Sequence, residues 1–329
     1  MEDNALGEHA MSRTRRCAVF LLMLAVVPLR AETLPGEIRI IVPVTAGSSL
    51  DARARVIADA IGVRLKQRVL VENRPGAGGT LAALAVAKSR PNGSVLLFSN
   101  NSLLISPHIY PDTGYNPVKD FIPIAQAYVS GMVLVAHADL RVGTVRELVA
   151  LARSGSQPPG YASSGTGGLP HLGMEVFKQV AGIEMLHIPY RGDAQALADV
   201  LAGRVPVMMS GYVVAQPHIK SGRLRALAVT SRQRAAIFPE IPTIVESGYP
   251  AFALDTWAGF FAPSGTPPGV IDKLNGEISA AIGTTPVRTH FEATGAETVT
   301  TSTAVFGAYV RQEWETYGRL IGKLKLTPE

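Results

Sequence analysis

Apolar and polar positions along this chain follow two rhythms that take turns. Short runs dense in β-branched residues, such as Ile38-Arg39-Ile40-Ile41-Val42, read as buried strands. Longer stretches repeat at helical spacing: Ala52 to Leu65 puts Ile57, Ile61 and Leu65 on one face. The alternation continues with a strand at Val69-Leu70-Val71, closed by Asn73-Arg74-Pro75-Gly76, and a helix over Ala82 to Ser89. A strand over Ser94 to Ser99 follows the turn Pro91-Asn92-Gly93. A second series opens at Met132-Val133-Leu134-Val135 and passes through a helix capped by Thr144 and reaching Ala152. It goes on with a strand over Pro159-Gly160-Tyr161-Ala162, a helix over His171 to Val180 and a strand over Glu184 to Pro189. A helix over Ala194 to Leu201 and strands at Val205 to Met209 and Leu224 to Val229 complete it. The remainder, from Trp257, holds a strand at Gly259-Phe260-Phe261-Ala262 and helices over Pro268 to Ile282 and Ala304 to Lys323. These helices lack strands of their own to cover, so they are expected to return to the first series. The pattern predicts an α/β fold with mainly parallel sheets in two lobes. The chain is expected to cross between them near Val129 to Met132 and near Phe252 to Trp257. Two crossings make a hinge, and a ligand lodges in the cleft it spans.

The length of 329 residues accommodates two cores, and 47% hydrophobic against 17% charged residues describes a folded globular chain. The net charge of +5 is dispersed and aromatic residues make up only 6%, which argues against nucleic acid as a partner. The amino terminus changes the picture. Arg13, Arg15 and Arg16 precede the apolar stretch Cys17 to Pro28, followed by Leu29-Arg30-Ala31. That layout reads as a secretory signal peptide over residues 1–31, by a Sec or a twin-arginine route, with Met11 an alternative start. The stretch is short for a transmembrane helix, and no later segment approaches about 20 uninterrupted apolar residues. The one cysteine, Cys17, precedes the signal's apolar core, so the processed chain would have no disulfide, no thiol chemistry and no lipoprotein anchor. A periplasmic monomer is expected.

Two loops share one layout: an apolar run, small residues, then an amphipathic stretch opening on a capping residue. The first is Thr45-Ala46-Gly47-Ser48-Ser49-Leu50-Asp51; the second is Ser163-Ser164-Gly165-Thr166-Gly167-Gly168. A strand fed through such a loop into a helix leaves backbone N–H groups at the helix's positive end, which suits an anion. One such loop is an ordinary tight turn; two facing each other make a clamp for a small anionic or zwitterionic solute.

Several ordered segments resemble the Bug family of extracytoplasmic solute receptors, the TctC-like binding components of tripartite tricarboxylate transporters. They are Val71-Glu72-Asn73-Arg74-Pro75-Gly76-Ala77-Gly78-Gly79, Tyr115-Asn116-Pro117-Val118-Lys119-Asp120-Phe121 and the stretch Tyr161 to His171. Ile188-Pro189-Tyr190-Arg191-Gly192, Leu224 to Thr230, Ile241-Pro242-Thr243 and Trp257 to Pro267 complete the set. The resemblance implies a type II periplasmic binding protein fold with two α/β lobes and a ligand cleft between them. Lobe 1 would comprise residues 32–131 and 256–329, and lobe 2 residues 132–255. It implies capture of a small carboxylate, whether amino acid, di- or tricarboxylate or aromatic acid, and delivery to membrane permease subunits of a tripartite transporter. The same resemblance puts Thr45, Ala46, Gly47, Ser48, Ser49 and Asp51 in the first jaw, Ser163, Ser164, Gly165, Thr166 and Gly167 in the second, and Tyr190 and Trp257 near the cleft. Val44 to Ser48 depart from the family's Phe, Pro-rich and paired-glycine loop, trading an aromatic wall for the hydroxyls of Thr45 and Ser48. Gly168 replaces a frequent serine, and Pro206 stands where an aspartate often follows the Gly-x-Val turn.

The amides of Ala46, Gly47, Thr166 and Gly167 are the candidate donors, because small residues let backbone approach a carboxylate. Ser48-x-x-Asp51 has capping-box form, and the competing reading has Asp51 take a ligand ammonium. Arg53 and Arg55 read as solvated faces, either able to offset Asp51; Arg74 reads as holding loop carbonyls. Tyr190 covers the ligand or ends a strand, Trp257 is core packing or cleft wall, and His171 is structural. Catalytic residues are not assigned: Ser163 and Ser164 lack a Gly-x-Ser-x-Gly elbow, and the seven histidines show no metal-ligand spacing. Gly76-Ala77-Gly78-Gly79 is neither a phosphate loop nor a dinucleotide fingerprint, and no cofactor is assigned. The rival readings are a receptor that presents its loaded form to a sensor kinase, and a periplasmic hydrolase using Ser163 or Ser164.

Overall fold

A computed structural model describes residues 34–110, 112–155, 157–252, 254–324 and 326; the expected signal peptide lies outside the described residues. The chain begins with β1 (Glu37–Val42), α1 (Ser49–Leu65), β2 (Arg68–Asn73), α2 (Thr80–Ala87), β3 (Val95–Asn100), α3 (Ser102–Ile109) and β4 (Phe121–Ser130). The next elements are β5 (Met132–His137), α4 (Val145–Ser154), β6 (Gly160–Ser163), α5 (Leu169–Ala181), β7 (Leu186–Pro189) and α6 (Asp193–Leu201). After β8 (Val207–Gly211), α7 (Tyr212–Lys220) and β9 (Leu224–Val229), the chain closes with β10 (Thr256–Pro263), α8 (Pro268–Ile282), α9 (Thr285–Ala293), β11 (Ala296–Thr298) and α10 (Thr303–Leu324).

Two sheets form: a six-stranded one in the order β11-β4-β10-β3-β1-β2 and a five-stranded one in the order β7-β6-β8-β5-β9. They are more mixed than the sequence pattern predicts. β1 is parallel to β2 and β3, and β6 to β7 and β8, but β10 runs antiparallel to β3 and β4, and β5 to β8 and β9. The reason is directional. β5 and β10 are the strands the chain enters after crossing from the other sheet, so each starts at the end where its neighbours finish. β4 escapes a pattern reading because Pro123 interrupts its apolar run. The sheet accommodates Pro123 opposite Phe261, beside a register shift between Phe260 and Phe261.

The first crossing is a single residue, Gly131, between β4 and β5. A Cβ there would collide with the Tyr212 hydroxyl, so the connection has no room for a side chain. The second crossing is tied beside it: the Met132 amide donates to Thr230 Oγ1 at 2.8 Å and the Leu254 amide to the Thr230 carbonyl at 3.3 Å. Asn101, wholly buried, donates to the Asp255 carbonyl at 3.2 Å and to the Tyr317 hydroxyl at 2.7 Å, and accepts from the Trp257 amide at 3.0 Å. One apolar cluster runs through both halves, including Ile41 and Phe121 from the first and Met132, Phe177 and Leu254 from the second. Arg53 is not on a solvated face. It is buried, its guanidinium 4.4 Å from the Tyr128 ring centroid and donating to the Thr294 carbonyl at 3.0 Å. Arg74 pairs with Glu72 at 2.6 Å rather than holding loop carbonyls.

Candidate functional site

Loop 1, between β1 and α1, is organised by Ser48 and Asp51. Ser48 caps α1, accepting from the Asp51 amide at 3.4 Å, while Asp51 Oδ2 accepts from the Gly47 amide at 2.8 Å. The carboxylate thus returns its bond one residue earlier than a capping box would. Asn73 donates to Asp51 Oδ1 at 2.9 Å, and Arg55 pairs with the same carboxylate at 2.9 Å. Burial opposes the charge on Asp51, but the bonds from Arg55, the Gly47 amide and Asn73 outweigh it and hold its pKa below the ordinary carboxylate value. Asp51 is therefore a structural latch. Its acceptor capacity is taken up within the protein, which argues against the ammonium reading. Gly47 has φ +82°, and nothing lies within 4 Å of where a Cβ would sit. Thr45, Ala46 and Gly47 are exposed, Ser48 and Ser49 half-buried. Among the described residues the Ala46 amide and the Thr45 hydroxyl have no protein partner.

Loop 2, between β6 and α5, satisfies most of its own amides. Gly165 N donates to Ser163 Oγ at 3.2 Å, Gly168 N to the Gly165 carbonyl at 3.2 Å and Gly167 N to His171 Nδ1 at 3.2 Å. His171 stacks on His187, with centroids 3.9 Å apart, and Ser163 Oγ lies 2.7 Å from His187 Nε2. This serine–histidine pair braces the loop from behind; Ser163 is wholly buried, beyond reach of a substrate bond. The Ser164 hydroxyl bonds to the Asp193 carboxyl.

A cleft of about 470 Å³ opens beside loop 2, lined by Gly165 and Thr166, by Pro189, Tyr190 and Arg191 at the end of β7, by Gln195 on α6, and by Tyr110 from the other half. The Tyr110 hydroxyl donates to the Thr166 carbonyl at 3.0 Å, a bond between the halves. Gly167 takes φ +83°, and a Cβ there would press on Ile109 and Tyr110 at 3.2 and 3.3 Å. Tyr190 lines the cleft, and its hydroxyl donates to Asp199 at 2.6 Å. Burial and that bond push the phenol up to about 12.

Of the residues singled out from sequence, Gly165, Thr166 and Tyr190 meet at this cleft; the loop 1 residues are not among its lining. Trp257 is wholly buried, packed on Phe261, Phe306 and Tyr309, with its indole N–H donated to Glu313 at 3.2 Å. Tyr110, Arg191 and Gln195 are additions from the structure. Arg191 lies inside a quoted family segment, whereas Tyr110 ends α3, a helix whose Pro107 hides it from pattern reading.

Residues 53–326 match the family model described as "Tripartite tricarboxylate transporter family receptor". Protein BugT of Bordetella pertussis is 35% identical over 296 residues, spanning 88% of this chain and 91% of that protein. The solved periplasmic binding protein BugD superposes with a TM-score of 0.82 at 31% identity, covering 89% of this chain and 99% of its own. An R. palustris protein solved with adipate gives a TM-score of 0.83 at 28% identity, covering 89% and 98%. The chain belongs to the Bug, or TctC-like, family of tripartite tricarboxylate transporter receptors, whose members are solute-binding proteins and not enzymes.

Proposed function

We propose that the protein is an extracytoplasmic receptor that captures a small carboxylate in the cleft and passes it to the membrane subunits of a tripartite transporter. The observation that carries this reading is the glycine-paired turn at the foot of α5, where Gly165 and Thr166 open on a cleft reaching Tyr110 of the other half. The positive end of a helix favours an anion there, and the related R. palustris protein was solved with adipate. In loop 1 the Ala46 amide and Thr45 hydroxyl are the donors in reserve, while Gly47 and Gly167 shape the jaws because their amides are engaged within them. Trp257 leaves the ligand set and supports it from the core. Residues 1–31 would direct export to the periplasm; among the described residues no helix is long and apolar enough to cross a membrane. Binding would draw the halves together because the ligand contacts both only in the closed form.

Isothermal titration of protein refolded from denaturant, to strip retained ligand, tests the reading. Saturable binding is expected for at least one member of a panel of amino acids, dicarboxylates, tricarboxylates and aromatic carboxylates. A folded sample giving no saturable heat with any of them refutes it.

A further inference from the structure

We propose that the Tyr110 hydroxyl is a latch between the two halves, which holds the protein partly closed before a ligand arrives and so scales the affinity for every ligand alike. The inference rests on the receptor reading above and deepens it, by adding a residue that acts on closure rather than on the choice of ligand.

The latch has a fixed arm. Tyr110 ends the last turn of α3, where its amide donates to the Ser106 carbonyl at 2.8 Å. That helix is pinned from two sides. Ser106 Oγ donates to the Gly78 carbonyl at 3.0 Å, and the His108 ring stacks on Trp314 of α10 with centroids 3.7 Å apart. His108 Nε2 also lies 3.0 Å from the Trp314 carbonyl, and a Cβ on Gly318 of α10 would come within 2.8 Å of the same ring. The catch is one peptide unit of loop 2, between Thr166 and Gly167. Its carbonyl accepts from the Tyr110 hydroxyl at 3.0 Å, and its N–H donates to His171 Nδ1 at 3.2 Å. The carbonyl and N–H of a trans peptide point in opposite directions, so the first half holds this plate at one end and α5 holds it at the other. Gly167 gives Tyr110 room to approach, since a Cβ there would lie 3.3 Å from its ring. The ties at Thr230 and Asn101 sit at the crossings, where a hinge turns, whereas Tyr110 lines the cleft, where opening must break its bond. Tyr190 lines the same cleft, but its hydroxyl donates to Asp199 within its own half.

A bond between the halves that no ligand takes part in favours every closed complex equally. The net worth of a neutral hydrogen bond corresponds to about fivefold in an equilibrium, and apparent affinity follows the fraction of protein already in the competent form. A group that bound ligand instead would change each affinity according to what that ligand offers. Tyr110→Phe keeps the ring and removes the bond; Tyr190→Phe makes the same chemical change without touching closure. In protein refolded from denaturant, small-angle X-ray scattering should give Tyr110→Phe a larger radius of gyration than the wild type, and Tyr190→Phe the wild-type value. Among glutarate, adipate, glutamate and benzoate, each acid that binds should lose affinity for Tyr110→Phe by one common factor of about five, chiefly through faster dissociation in stopped-flow measurements. An unchanged radius of gyration in Tyr110→Phe, an equal expansion in Tyr190→Phe, or losses that differ from acid to acid would overturn the latch while leaving the receptor reading intact. The scattering comparison uses no ligand, so it decides the latch separately from the carboxylate panel, whose complete failure to bind would overturn the receptor reading.

Discussion

Asp51 shows how far a single residue can be read from its neighbours in sequence. Its relation to Ser48 and to Arg55 is local, three and four positions away, and both are visible in the pattern. Asn73, which completes the cage, arrives from the end of β2 and is not. The cage has a pH signature. The folded-state pKa is the depressed one, so the stabilisation is fully present above the unfolded-state value and is lost as the pH falls through the folded one. Asp51→Asn should cost about 1–3 kcal/mol at neutral pH. The gap from wild type should shrink below about pH 4, where the unfolded carboxyl takes up its proton and the folded one follows. Urea unfolding of both proteins at neutral and acid pH measures this; a gap independent of pH would show that the charge does not matter. Arg53 marks the limit of local reading. Nothing around it in sequence announces Tyr128 and Thr294, which turn a surface-looking arginine into a core one.

At the level of elements, interior prolines and short length hid what the pattern did not show, the latter in α9 and β11. α8 appears with its ends as read from sequence, and α1, α4, α5 and α10 within a few residues, because their apolar spacing is uninterrupted. β4, α3 and α7 escape, each carrying an internal proline; in β4 a register shift lies beside Pro123, and in α3 the Tyr115 hydroxyl donates at 3.0 Å to the Leu103 carbonyl that Pro107 leaves without an amide. The missed α3 hid Tyr110 and with it the second wall of the cleft. The carboxy-terminal strands β10 and β11 lie in the first sheet, and the fit of α10 against it is close. A Cβ on Gly259 of β10 would collide with the Phe306 ring of α10 and lie 2.8 Å from the Ala125 carbonyl of β4. Gly259→Ala should therefore destabilise by about 1–3 kcal/mol, the usual cost of overpacking a filled core. Thermal unfolding checks it, and an unchanged midpoint would mean that α10 can retreat from the sheet at little cost.

For the whole molecule, the apolar cluster shared by the two halves matters more than their separate sheets. Ile41 and Phe121 belong to the same cluster as Met132, Phe177 and Leu254. Calorimetry should accordingly show one cooperative transition rather than two, raised by ligand by about 2.7 kcal/mol at a hundredfold excess over Kd. Two separated peaks would show lobes that melt independently. The alternation of strands and helices made the class of fold visible in the sequence. The antiparallel entry strands were not, since direction depends on which end of a sheet the chain arrives at. The position of β10 reaches back to the making of the chain. It lies between β3 and β4, yet starts only at Thr256. Until that segment has left the ribosome, β3 and β4 lack the neighbour that joins them, and the larger sheet stays open along its middle. The early half of a nascent chain therefore cannot complete the larger sheet ahead of the late half.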